Sequence, residues 1–305
     1  MLTGLLTSLV IGLTSGVIYA LLAVGIVLVY RGSRVLNFAQ GEIGTFALYI
    51  AWLVTNTGLP WIAGAVAAVV AAALLGLGFE RLVVNPMAQA SRVSVAVATI
   101  GLLTFLVFLE GMLFSPNPRT LPLPIKGLGV SIFAYYVSPI QVIGFGVAIA
   151  LGLSLTALLR FTDFGLSLRA AAEDQATARL VGIKVGWGSA FTWTAASAIA
   201  AIAALLIEPS LGVFAPGYIS RIFVFALAAA LVGGLTSLPG AFIGGLVVGV
   251  LDAEAVYALR SPIIGDLLGT RAVPGIDTLA IFVIILAILL LRPGGIFAGR
   301  AARLA

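Results

Sequence analysis

The chain has 305 residues, of which 62% are hydrophobic and only 9% charged, against about 25% charged in an ordinary soluble domain. With a mean hydropathy of +1.22 and 36 Gly, this excludes a water-solvated globule and fits helices packed in lipid, where small residues allow close approach. The lack of Cys and His excludes disulfides, thiolate chemistry and the commonest metal ligand and general base. The net charge of +5 reads as the cytoplasmic marking of a membrane protein, not as a nucleic-acid footprint.

Apolar runs of roughly 20 residues, the length of one crossing, fall near 4–30, 35–55, 61–79, 93–114, 138–159, 188–208 and 275–292. The first cation is Arg31, so the first run lacks the basic start of a cleavable signal peptide and is expected to stay as a membrane helix. Gly12/Gly16, Gly240/Gly244 and Gly245/Gly249 have GxxxG spacing, either close-contact faces between helices or a by-product of abundant Gly.

Asn37, Gln40 and Glu42 interrupt the second run. A carboxylate at membrane depth costs roughly 3 kcal/mol unless it meets a partner or water, so Glu42 either points into the bundle or lies at the cytoplasmic interface near Arg31 and Arg34. Glu110, near the outer end of its run, poses the same choice. The loop 115–137 holds Pro116, Pro118, Pro122 and Pro124, which preclude a regular helix in its first half and point to a short ordered cap. Trp52, Trp61, Tyr135 and Tyr136 are placed as an interfacial aromatic belt.

Residues 162–183 differ from the rest of the chain. Thr162 or Asp163 can N-cap a helix, the body is rich in Ala, Arg169 and Glu173 stand at i, i+4, and Gly182 followed by Ile183 suits a C-terminal cap. A rigid, capped amphipathic helix on the cytoplasmic face is expected. The stretch 221–256 is too long for one crossing and is broken at Gly233-Gly234-Leu235-Thr236-Ser237-Leu238-Pro239-Gly240, so it crosses twice or re-enters from one face. Asp252, Glu254, Asp266 and Asp277 are placed at or beyond the outer boundary, as solvated loop charges or a docking surface.

With the N-terminus outside, eleven of the 16 Lys and Arg fall on cytoplasmic segments, which supports N-out and C-in and hence seven or nine crossings. The fold expected is all-α and polytopic, with about 7–9 transmembrane segments and broken or re-entrant helices, in one domain over 1–305. No GxxxxGK[ST] occurs, so any ATP chemistry must come from a partner chain.

Four stretches, in order along the chain, carry a resemblance. They are Tyr19–Gly25 leading to Leu36-Asn37-Phe38-Ala39-Gln40-Gly41-Glu42; Glu80-Arg81 with Asn85-Pro86 and Thr99-Ile100-Gly101-Leu102; Arg169-Ala170-Ala171-Ala172-Glu173-Asp174 with Ala178, Leu180, Gly182 and Ile183; and Gly233–Ala241 with Gly244-Gly245, followed by Leu291-Arg292-Pro293-Gly294-Gly295. Together they resemble the LivH-type permeases of branched-chain amino-acid ABC importers. The departure is Gln40, which stands where the family usually has His and puts any role requiring protonation there in question.

The resemblance implies a bacterial inner-membrane permease without catalytic residues, cofactor or metal of its own. It implies two ABC ATPase subunits that bind ATP and Mg, a second, LivM-like permease, a periplasmic substrate-binding protein, an amino-acid substrate, surrounding membrane lipid and no nucleic acid. Arg169, Ala171, Ala172, Glu173, Asp174, Ala178, Leu180 and Gly182, within a coupling segment of about 160–187, would dock on an ATPase. Asn37, Gln40, Glu42 and Thr99 would line the translocation path, and Gly233, Gly234, Pro239 and Gly240 would form a hinge or broken helix. Urea or short amides are handled by related permeases, and an ion-coupled secondary transporter, with Glu42 as its titratable site, is the rival reading. An intramembrane enzyme is disfavoured because Lys126 and Lys184 fall in loops.

Overall fold

In an apolar solvent every backbone N–H and C=O must be bonded within the chain, and the computed structural model meets that demand with helices. It describes residues 2–122, 125, 127, 129–173, 175–261, 269, 273, 276–291, 295 and 296. In chain order the helices are α1 (Leu2–Ser33), α2 (Gln40–Asn56), α3 (Trp61–Phe79), α4 (Arg92–Phe114), α5 (Pro139–Phe161), α6 (Asp163–Glu173), α7 (Gln175–Leu180), α8 (Val185–Leu211), α9 (Tyr218–Gly233), α10 (Leu238–Arg260) and α11 (Ile276–Leu291). Six helices among the described residues are long and apolar enough to cross a membrane; α2, α9 and α11 are shorter, at 17, 16 and 16 residues.

α1 is the axis of the bundle. From Val17 to Val29 nearly every side chain is buried, while α3, α4 and α5 each turn a broad apolar face outward. A π-helical turn, Glu80–Val84, extends α3, with Asn85 N–H bonded to the Glu80 carbonyl at 2.7 Å.

The GxxxG pairs are contact faces, and α10 uses two of them against different partners. Gly245 and Gly249 meet the backbone of Ala20 and Gly16 on α1, and Gly12 in turn packs on Val250. This order makes α1 and α10 antiparallel. Gly240 and Gly244 instead face Gly233 and Ala229 on α9, so the 221–256 stretch is a tight antiparallel helix pair broken at 234–237. Pro239 lies in the first turn of α10, and Ser237 Oγ accepts from Gly240 N–H at 3.0 Å.

One placement differs from the sequence reading. Asp252 and Glu254 lie within α10, where they accept hydrogen bonds from the Tyr19 hydroxyl (3.0 Å) and the Ser8 hydroxyl (2.8 Å) on α1. They hold two helices together and are not solvated loop charges. Asp277 falls in α11, and Asp266 lies outside the described residues. Arg221 sits in the first turn of α9. The Arg119 guanidinium lies over Trp52, 4.7 Å from its ring, joining α2 to the proline loop. The proline loop leads into a short hairpin, β1 (Val130–Ile132) with β2 (Tyr135–Val137).

The α1–α10 seam yields a paired test. A methyl group at Gly245 would overlap the α1 backbone, whereas one at Gly101 meets nothing within 4 Å. Gly245→Ala should destabilise the chain by about 1–3 kcal/mol, as overpacking does, and Gly101→Ala should leave it unchanged or slightly more stable. Unfolding by sodium dodecyl sulfate in mixed micelles measures both.

Candidate functional site

Two of the crossings start inside the bundle. After α1 ends at Ser33, residues 34–39 fold back along it, and the Gln40 amide reaches the Leu22 carbonyl (3.4 Å) and packs on Gly25. At 1.5 Å per helical residue this is about 12–16 Å from the end of α1. The second apolar run is therefore helical only from Gln40. Its non-helical start is held by protein groups: Phe38 N–H donates to Thr99 Oγ1 (3.2 Å) on α4, and Ala39 N–H to Asn37 Oδ1 (3.1 Å).

The second such start is that of α9. Between α8 and α9 the chain re-enters from the hairpin end of the bundle, pairing Phe214 with Arg119 through two backbone hydrogen bonds of 2.8 Å. The first N–H groups of a helix have no partner of their own, and the N-cap of α9, Gly217, has no side chain to supply one. α2 supplies it from a distance. Glu42 Oε1 accepts from Gly217 N–H at 2.8 Å, Glu42 Oε2 accepts from the Ser220 hydroxyl, and Thr45 Oγ1 accepts from Ile219 N–H at 3.2 Å. A carboxylate here also meets the positive end of the helix dipole.

Glu42 is 0% exposed, which overturns the interfacial placement: its partners are on α9, while Arg34 lines a cavity at the opposite, α6–α7 end. Glu110 of α4 is equally buried and faces Glu42 and the Gly217 backbone. Tyr49 stacks on Phe114 (4.6 Å between centroids) and meets Phe214 edge-on (5.0 Å), placing aromatic rings over the polar junction from the hairpin end. Asn37 in the non-helical start, Gln40 and Glu42 on α2, and Thr99 on α4 are all wholly buried.

Sequence reading missed Thr45, Ser220 and Glu208. Glu208 is buried and accepts from Leu121 N–H (3.0 Å), tying the proline loop to α8; a carboxylate beside Pro209 at the end of an apolar run was its only signal.

At the other end lies the capped segment. Thr162 Oγ1 accepts from Gly165 N–H (3.2 Å), and at the far end Gly182 takes φ +84° while Ile183 N–H reaches the Ala178 carbonyl (3.0 Å), a Schellman closure. The expected helix is described as α6 and α7, on either side of Asp174. Leu168, Ala171 and Ala178 face the bundle, whereas Leu180 (87% exposed) and Trp187 (75%) project from it. Arg169 bonds the Gly165 carbonyl through Nε at 3.3 Å. The side chains of Ala172 and Glu173, the whole of Asp174, and Arg292, Pro293 and Gly294 lie outside the described residues. Gly233, Gly234, Pro239 and Gly240 form the packed turn between α9 and α10, with Gly234 at φ +98° and Ile296 N–H bonded to the Val232 carbonyl at 2.7 Å.

Residues 8–292 match the family model described as branched-chain amino acid transport system / permease component. The chain is 31% identical over 304 residues to the high-affinity branched-chain amino acid transport system permease protein BraD of Pseudomonas aeruginosa, covering 95% of each. It is 31% identical to LivH of Escherichia coli K12 (79% of this chain, 83% of the relative) and 30% identical to the probable branched-chain amino acid transport permease protein LivH of Methanocaldococcus jannaschii (79% and 78%). No solved structure matches it. A match along the whole helical framework, including both re-entrant starts and the capped segment, makes this chain a member of the branched-chain amino acid transport permease family.

Proposed function

We propose that this chain is the membrane permease subunit of a binding-protein-dependent ABC importer, moving branched-chain or similar hydrophobic amino acids under the drive of separate ATPase subunits. Family membership carries the transport reading. The drive is inferred from the capped α6–α7 pair, which ends in exposed Leu180, Val181 and Trp187. Apolar side chains projecting from a rigid bundle end suit a protein partner. The assembly has two ATPase subunits, a second LivM-like permease and a substrate-binding protein on the opposite face, and ATP and Mg belong to the ATPases. Nine crossings, with the N-terminus outside and the C-terminus in the cytoplasm, put α6 and α7 on the ATPase side of the inner membrane.

α8 links the two sites. It begins directly after the Gly182 closure and runs unbroken to Leu211, where the re-entrant loop starts. In this reading a push on α6–α7 is carried along α8 to the loop at Gly217, and the Glu42–α9 junction is the gate of a path lined by Asn37, Gln40, Glu42 and Thr99. The turn at Gly233, Gly234, Pro239 and Gly240 sets the lower end of the moving helix. The names of the relatives favour branched-chain amino acids over urea or short amides, and the occupation of Glu42 by the start of α9 disfavours its use as the ion site of a secondary carrier.

Co-expression with the neighbouring genes tests the assembly. ATPase subunits are expected to co-purify with the wild type and to be lost in Leu180→Asp with Val181→Asp, with the melting temperature of the permease unchanged. Transport by the purified chain under an ion gradient without ATP would overturn the reading. At the junction, Glu42→Ala strips acceptors from buried donors, which costs about 1–3 kcal/mol. Glu42→Ala is expected to lower thermal stability and ATP-driven uptake in proteoliposomes together, and Glu42→Gln, which keeps a carbonyl acceptor, to lose less of both.

A further inference from the structure

The proline loop is bonded to the bundle at few points. Pro116, Pro118 and Pro122 have no N–H to donate, and Asn117 N–H donates locally to Ser115 Oγ at 3.4 Å. Among the described residues, the backbone of 115–122 is tied to the rest of the chain by the pair of 2.8 Å bonds between Arg119 and Phe214 and by Leu121 N–H to Glu208 Oε1 at 3.0 Å. The Arg119 side chain adds one bond to the Phe114 carbonyl (3.0 Å) and its stacking over Trp52. Segments held by so few bonds are the ones that part first from a packed framework.

What the loop covers is the polar junction. Asn117, Pro118 and Thr120 are exposed, while Phe214, bonded to Arg119 between them, is 0% exposed. Phe214 precedes by three residues Gly217, whose N–H is held by Glu42. A single layer of chain thus separates the surface from the start of α9. Glu208 joins this layer to α8: it is 2% exposed, stands in the last turn of that helix, and lies near Tyr218, the first residue of α9. One carboxylate of α8 therefore holds the covering loop beside the start of the re-entrant helix.

We propose that residues 115–122 are a strap that closes the hairpin end of the transport path and opens by parting from 212–217, and that Glu208 is the positioning residue that latches it. A shift of α8 carries the Glu208 carboxylate away from Leu121 N–H and leaves the strap on the Arg119–Phe214 bridge alone, so the helix that is driven from the α6–α7 end also releases the cover at the other. This rests on the importer reading, in which α8 moves.

The chain has no Cys, so introduced thiols report without background. Next to the antiparallel Arg119–Phe214 bridge the opposed residues are Thr120 and Val213, both exposed, at a Cα spacing of about 4.5 Å for such a pair, within disulfide reach. In the assembled importer in proteoliposomes, Thr120→Cys with Val213→Cys should take up substrate normally when reduced, lose ATP-driven uptake on oxidation and regain it on reduction. Where oxidation leaves the thiols free, a short bis-methanethiosulfonate makes the same bridge. Full uptake by the bridged chain overturns the strap and leaves a static cap, whereas a wild-type assembly that cannot use ATP for uptake sinks the importer reading instead. The latch is read separately, by labelling of Phe214→Cys with a membrane-impermeant thiol reagent. Adding Glu208→Ala should speed labelling about tenfold, the least that a hydrogen bond to a charged acceptor is worth, and Glu208→Gln, which keeps a carbonyl for Leu121 N–H, should stay near the original rate. Equal labelling with Glu208→Ala, or equal acceleration at a cysteine replacing the buried Ala72 of α3, overturns the latch.

Discussion

The start of α9 is the constraint on which the rest of the bundle depends. A helix that begins inside an apolar bundle exposes unmatched N–H groups where water cannot serve them, and each would cost on the order of 1–3 kcal/mol if left bare. Here the acceptors are two side chains of α2, Glu42 and Thr45. α2 must therefore begin at the same level, and it can do so only because residues 34–39 turn back along α1 and are held by Thr99 and Asn37. The two interrupted crossings are thus one arrangement, each explaining why the other is broken.

Such an arrangement needs helices that approach closely around it, which is the work of the glycines. α10 presents one pair, Gly245 and Gly249, to α1 and another, Gly240 and Gly244, to α9. It fixes the two helices that flank the junction with backbone contacts instead of side chains. Lipid offers no hydrophobic drive for association between helices, so close van der Waals contact and hydrogen bonds such as Tyr19 to Asp252 and Ser8 to Glu254 must supply it.

What the sequence revealed follows from how local each feature is. The caps of 162–183 lie within a few residues of what they cap, and the break at Gly233–Gly240 is made of turn residues; both were legible. The burial of Glu42 was legible as an alternative, because a carboxylate in an apolar run needs a partner. The identity of that partner was not, since Gly217 and Ser220 lie 175 and 178 residues away and no periodicity links them. For the same reason Asp252 and Glu254 were misplaced: a charge near the end of an apolar run looks like a loop residue unless the hydroxyl it meets on another helix is known.

The capped end and the junction differ in what holds them, and this bears on how an importer of this kind would work. The α6–α7 segment is closed by its own local caps and moves most readily as a unit. The junction is closed by contacts between helices distant in sequence, so relative motion of α2 and α9 breaks them together, without unfolding either helix. On the proposed reading α8 joins a rigid handle to a separable contact. A broken crossing whose first N–H groups are capped in trans suits a gate, because the cap can be withdrawn and restored while the helix behind it stays intact.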